Sequence, residues 1–174
     1  MMYSEGIGVP SDQVLARHWF DKAAAHAEGE TQYTVATAFD NGWVVPKDQN
    51  EAARRFHLAA EEGSTDAQYR LGQMYHEGRG VEENQRLSLE CFRKSGEQGN
   101  PGAQFVLGEL YAEGESVPKN YAEAAQWYRK AAEQGGQLAQ QKLGSMYSQG
   151  EGVPLDLVEA YRWGKPRRCF ADQA

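Results

Sequence analysis

Apolar residues in this chain return in blocks rather than at random. Between Thr65 and Gly99, Ala67, Leu71, Met74 and Tyr75 fall at helical spacing and give one apolar stripe on a first helix, A. The stripe stops at Gly78-Arg79-Gly80, where glycine can take positive φ and end a helix. Val81 follows as an apolar pin. A second helix, B, is then expected from Asn84, carrying Phe92 and ending near Gly99.

The same block recurs every 36 residues without insertion or deletion: Val9, Val45, Val81, Val117 and Val153 mark one column. Tyr3, Phe39, Tyr75, Tyr111 and Tyr147 mark a second, and Gly6, Gly42, Gly78, Gly114 and Gly150 a third. A fixed period in this range is the signature of a solenoid, whose units touch only their neighbours and whose surface is mostly available for binding. After the valine, four of the five units place Pro10, Pro46, Pro118 or Pro154, which prevents helix continuation. The column Asp12, Asp48, Asn84, Asn120, Asp156 holds only good N-cap residues, and Glu51, Glu123 and Glu159 stand three positions after their caps, close to a capping box. Helix B carries Trp19-Phe20, Phe56, Phe92 and Trp127-Tyr128, and Gly63, Gly99 and Gly135 are placed to end it.

Helix A contains Ala36, Gly72, Gly108 and Gly144 at one register, and a mid-helix glycine costs roughly 0.5–1 kcal/mol relative to alanine. Close helix approach is the expected compensation, with Ala23-Ala24, Ala59-Ala60, Ser95-Gly96 and Ala131-Ala132 of helix B as the matching small positions. A and B therefore form an antiparallel hairpin, and the next hairpin stacks on it.

The pattern Ala-x-x-x-Leu-Gly-x-x-Tyr-x-x-Gly-x-x-Val, an Asp or Asn, then Trp-Tyr-x-Lys-Ala-Ala-x-x-Gly, resembles the Sel-1-like repeat, a longer relative of the tetratricopeptide repeat. Ala103 to Gly108, Tyr111, Gly114, Val117 and Trp127 to Ala132 carry it almost in full. The resemblance covers about residues 1–163, with a partial first unit and repeats at about 29–64, 65–100, 101–136 and 137–163. Residues 164–174 are left as an irregular basic tail. It implies an all-α, right-handed superhelical solenoid of antiparallel helix pairs, a concave face lined by A helices, and adaptor or scaffold roles, mostly in bacteria, without catalysis by the repeat.

Both ends depart from the pattern. Met2 shares a column with Met74, Leu110 and Met146, so the chain starts inside an A helix, leaving an apolar end open to self-association or to a removed neighbouring segment. Gly164-Lys165-Pro166 replaces the expected Tyr-x-Lys, so the last B helix should stop near Trp163.

The geometry of the related tetratricopeptide fold puts certain A-helix columns in a groove. These are Glu30, Asp66, Gly102 and Leu138; Tyr33, Tyr69, Phe105 and Gln141; and Thr37, Gln73, Glu109 and Ser145. Asp40, His76 and Ala112, then Asn41, Glu77 and Glu113, complete it. The pooled surface is acidic with aromatics in three successive units, which fits a basic or mixed basic-apolar peptide. The opposing possibility is that Tyr33, Tyr69 and Phe105 pack against neighbouring helices and the acids are plain solvated surface.

Composition narrows the function further. The net charge of −7 argues against nucleic acid, which needs a basic face. The basic cluster Lys165, Arg167 and Arg168 is confined to the tail and reads as a solvated end, or as a segment reaching another copy's groove. No apolar run reaches membrane-spanning length, and the start has no signal-peptide pattern. The chain as given reads as cytoplasmic, or as secreted or periplasmic if a signal sequence has been lost. Cys91 and Cys169 do not follow the repeat, so no disulfide framework is expected; Cys91 shares a column with Trp19, Arg55, Trp127 and Trp163 and reads as buried. His18, His26, His57 and His76 occupy four different columns without zinc-ligand spacing, so no metal is expected. Gly-x-Ser-x-Gly is absent, and the Gly78-Arg79-Gly80 turn lacks the Lys-Ser/Thr ending of a phosphate loop. No cofactor is implied. A non-catalytic protein-interaction scaffold is the leading class; a small-molecule or cell-wall-fragment binder, or a weak hydrolase using the groove, is the alternative.

Overall fold

The computed structural model describes residues 13–24, 29–43 and 45–164. Met2, His26 and the tail cluster of Lys165, Arg167, Arg168 and Cys169 lie outside them, so the expectations placed on the two ends rest on sequence alone. Among the described residues the regular structure is entirely α-helical: α1 Gln13–Ala24, α2 Gly29–Asn41, α3 Gln49–Glu61, α4 Thr65–Glu77, α5 Gln85–Glu97, α6 Pro101–Glu113, α7 Tyr121–Glu133, α8 Gln137–Gln149 and α9 Leu157–Gly164. They form two compact units, Met1–Lys94 and Ser95–Ala174, with the boundary inside α5.

The turn from A to B is built the same way each time. Gly42, Gly78, Gly114 and Gly150 have φ between 66° and 82°, the left-handed region that costs glycine little. The cap residue's backbone N–H then donates to the aromatic residue near the end of helix A: Asp48 to Phe39, Asn84 to Tyr75, Asn120 to Tyr111 and Asp156 to Tyr147, at 2.8–3.0 Å. Asp48, Asn84, Asn120 and Asp156 also accept from the N–H three residues on, at 3.0–3.2 Å, as the cap column requires. Two of the three glutamates of the expected capping box turn elsewhere. Glu51 takes Arg54 and Arg55, and Glu159 takes Arg162 and the Trp163 indole. Burial raises the Glu51 pKa, but these hydrogen bonds and the two charges outweigh it and leave it lowered.

In the first unit, Val35, Ala36, Phe39, Val45, Ala52, Phe56, Ala59 and Met74 form one buried cluster, with Val81 packed against it. In the second, Ala124, Tyr128, Ala131, Ala139, Leu143 and Met146 form another, with Val153 against it. The valine column is thus a set of pins from turn to core.

The role expected of the helix A glycines needs correction. A Cβ on Gly72 would lie 2.8 Å from the Phe92 ring, and one on Gly108 would lie 2.5 Å from the Tyr128 ring. These glycines seat an aromatic ring of their own hairpin, not a small residue. The small pairs of helix B face the following A helix instead: a Cβ on Gly96 would lie 2.8 Å from Leu107 Cδ1.

Candidate functional site

The small B-helix positions let an A-helix glutamine reach a backbone carbonyl. Gln68 Nε2 donates to the Ala60 carbonyl at 3.3 Å, Gln104 to Gly96 at 3.0 Å and Gln140 to Ala132 at 3.0 Å. Each glutamine is buried, so the bond satisfies groups that would be costly to leave unpaired. Arg55 donates to the fourth member of the column, Gln32, at 3.3 Å, and is itself held by Glu51 and Asp21. Gln68, Gln104 and Gln140 thus tie the start of their A helices to the end of the B helix before, while Gln32 is tied to the B helix that follows.

The three ring positions of the predicted groove have one geometry. Tyr33 meets Phe56, Tyr69 meets Phe92 and Phe105 meets Tyr128, with centroids 5.7–5.8 Å apart and planes tilted by 50–55°. Each ring is half-buried, so it packs on its hairpin partner while part of it stays open to solvent.

In the first unit, Glu30, Tyr33 and Asp66 line one cavity of about 720 Å³ together with Gly29, Thr34, Glu62, Gly63 and Ser64. Among the described residues, its lining has three carboxylates and no basic side chain. Thr37, one turn beyond Tyr33, bonds the Tyr33 carbonyl at 2.9 Å and does not line it. Gln73 donates to the Tyr69 hydroxyl at 3.0 Å, which ties that ring laterally. His76 is exposed and bonds Gln85 at 3.0 Å, while Glu77 pairs with Arg79, which also reaches Asp40. Tyr75, expected to pack inward, is half-buried and its hydroxyl meets His57 at 3.0 Å.

The second unit has a different lining. Glu113 lines a pocket of about 420 Å³ with Lys119, Tyr121, Tyr128, Lys142, Ser145, Met146, Glu151 and Ala112. Lys142 pairs with Glu109 at 2.9 Å, and the Tyr128 hydroxyl donates to the same carboxylate. Burial, then the Glu109 bond and charge, push the Tyr128 pKa upward, so the phenol stays protonated. Two lysines line this pocket, and one of them pairs with Glu109. Glu62, Ser64, Lys119 and Lys142 lie off the groove columns read from sequence. The glutamine clamp escaped that reading too, although Gln32, Gln68, Gln104 and Gln140 stand in plain view at the repeat interval.

Among the described residues no group of three His, Cys, Asp or Glu side chains is placed to hold a metal ion. Cys91 is half-buried rather than buried, and burial raises its thiol pKa to about 11.

The Sel1 repeat family model matches residues 1–27, 29–64, 65–100, 101–136 and 137–165. The chain belongs to the Sel1 repeat family. It is similar to c5321, a protective antigen present in uropathogenic Escherichia coli strains with an SLR fold, at 36% identity and a TM-score of 0.83 over 93% of this chain. It is also similar to a Sel1 repeat protein from Oxalobacter formigenes, at 36% identity and a TM-score of 0.79 over 89% of this chain. The chain spans only 35% and 45% of those two proteins' lengths. No functionally curated protein matches it. Its fold class is the all-α solenoid of helix pairs that these relatives share. Sel1 repeats are generally protein–protein interaction scaffolds and typically non-catalytic. No helix among the described residues is long and apolar enough to cross a membrane.

Proposed function

We propose that this Sel1 repeat chain is a non-catalytic binding module that takes a basic, partly apolar peptide segment at the first unit's cavity. The supporting observation is the lining: Glu30, Glu62 and Asp66 share about 720 Å³ with the half-buried ring of Tyr33, and no described residue that lines it is cationic. Glu30 and Glu62 make no ion pair with any described residue, so their field is directed to solvent and steers a cationic partner. The tyrosine face supplies an anchor for the alkyl stem or guanidinium of a bound side chain. Thr37, Tyr69, Gln73, His76 and Glu77 extend this surface along the first unit. Phe105, Glu109 and Glu113 form a second, charge-balanced surface in the other unit, suited to a segment of mixed charge.

The test uses a fluorescent decapeptide alternating lysine and leucine, with its glutamate-leucine counterpart as control. The basic peptide should bind and the acidic one should not. The double variant Glu30→Gln/Asp66→Asn should weaken binding by about five- to ten-fold, since exposed charge pairs contribute roughly 0.2–1 kcal/mol each. Added salt should weaken it in the same direction. Equal binding of both peptides, or an unchanged affinity in the double variant, refutes the assignment.

A further inference from the structure

The turn after α4 reaches back to the A helix before it. Arg79 in that turn donates to Asp40, near the end of α2, at 3.3 Å and also pairs with Glu77. The Asp40 side chain is only 12% exposed, so a guanidinium sits at a largely covered acid. Two repeats on, Glu151 stands at the position of Arg79 and Ala112 at the position of Asp40. Both the guanidinium and its acceptor are gone, and the charge of the turn residue is reversed. Ala112 and Glu151 instead line the open pocket of about 420 Å³ in the second unit.

Two charges around that pocket lack an ion-pair partner among the described residues, and both are carboxylates: Glu113 and Glu151. Lys142 is held by Glu109 at 2.9 Å. Lys119 lies over the Tyr121 ring, 4.6 Å from its centroid. Its hydrogen bond to Tyr121, with the charge of Glu151 adding to it, raises the Lys119 pKa, so this lysine stays protonated. With Glu109 counted beside the lining, three carboxylates face two lysines. The pocket therefore favours a cation, and Lys119 accepts a carboxylate beside it.

We propose that this pocket anchors an arginine of a bound peptide, its guanidinium meeting Glu113 and Glu151 in the place that Arg79 fills in the first unit. An acidic residue next to that arginine meets Lys119. The planar guanidinium suits carboxylates and tyrosine faces better than an ammonium does. The inference rests on the reading of the chain as a peptide-binding module but uses nothing of the first unit's cavity.

Nuclear magnetic resonance of the full chain tests it, with a short alanine-glycine peptide that carries one central arginine-glutamate pair. The amide signals of Ala112, Lys119 and Glu151 should shift and saturate. Citrulline in place of the arginine keeps the shape without the charge and should weaken binding by about five-fold. Glu113→Gln/Glu151→Gln should weaken the arginine peptide to the same degree and leave the citrulline peptide unchanged. Ala112→Asp/Glu151→Arg rebuilds the pair of the first unit, fills the pocket from within and should abolish the shifts. Glu30→Gln/Asp66→Asn should alter nothing here, which separates this site from the first unit's cavity. The remaining amide signals show whether each variant is folded. Absence of saturable shifts at these residues, equal binding of the citrulline peptide, or unimpaired binding by either second-unit variant overturns the proposal.

Discussion

The hairpins α6–α7 and α8–α9 follow the same column pattern, yet they are held together by different contacts. In α6–α7, the Tyr128 ring lies over Gly108 and against Phe105, and α7 buries six residues. In α8–α9, the equivalents of Phe105 and Tyr128 are Gln141 and Gly164, and α9 is eight residues long. With no ring to seat, the glycine of helix A meets backbone: a Cβ on Gly144 would lie 3.1 Å from the Ala160 carbonyl oxygen and 3.2 Å from the Gly164 nitrogen. A pocket of about 100 Å³ remains beside Gln137, Gln140, Gln141, Trp163 and Gly164. One glycine column therefore meets two needs, a ring seat in one hairpin and helix contact in the other. Loss of the ring pair goes with a last helix that buries none of its residues.

Removing the ring tests this difference most severely. Tyr128→Ala deletes a side chain that is 1% exposed and leaves Glu109 without its phenol donor, so it should cost about 3–5 kcal/mol. Gly164→Ala, at the same column of the last hairpin, meets nothing within 4 Å and should shift stability by less than about 1 kcal/mol. Urea unfolding followed by circular dichroism measures both. A loss below about 1 kcal/mol at Tyr128 would mean that the pair is not the anchor of its hairpin.

The glycines themselves give a finer comparison. Gly108→Ala places a Cβ 2.5 Å from a buried ring. Overpacking of about 1–3 kcal/mol then exceeds the 0.5–1 kcal/mol or so gained in helix propensity, for a net loss. Gly144→Ala meets its neighbours at 3.1 Å or more, on a short helix that buries nothing and can shift. Its two terms should nearly cancel. If Gly144→Ala proves the more damaging, α9 is held more rigidly than its exposure implies.

These differences mark what was legible beforehand. The period, the cap column, the turn glycines and the valine pins all follow from local chemistry repeated in register, and local chemistry is what a sequence displays. The partner of Gly72 and Gly108 was misassigned because small residues meet small residues in most close helix pairs. Nothing local says that the Phe92 and Tyr128 rings fold back over them. The glutamine clamp was visible as a column but carried no meaning until the Ala60, Gly96 and Ala132 carbonyls were seen facing it. Among the candidate site residues, Glu30, Tyr33 and Asp66 line one cavity. Glu62 and Ser64 were missed because they sit in the turn between α3 and α4, off the A-helix columns.

The smallest effect concerns the cap before α8. Ser64 and Asn100 cap α4 and α6 by accepting from Ala67 and Ala103, whereas the equivalent Gly136 has no side chain to offer. Cap statistics favour asparagine over glycine by only a few tenths of a kcal/mol. Against that gain, a Cβ on Gly136 would lie 2.9 Å from the Ala131 carbonyl oxygen, close enough to require a shift. The shift is small, because Ser64 and Asn100 carry a Cβ there while keeping the same N–H bond, to Ala59 and Ser95, that Gly136 makes to Ala131. Gly136→Asn should therefore stabilise slightly, raising the melting temperature by roughly 1 °C. A fall instead would show that α8 packs too closely on α7 to take a Cβ there, and that the last hairpin has tightened its backbone to offset its missing ring.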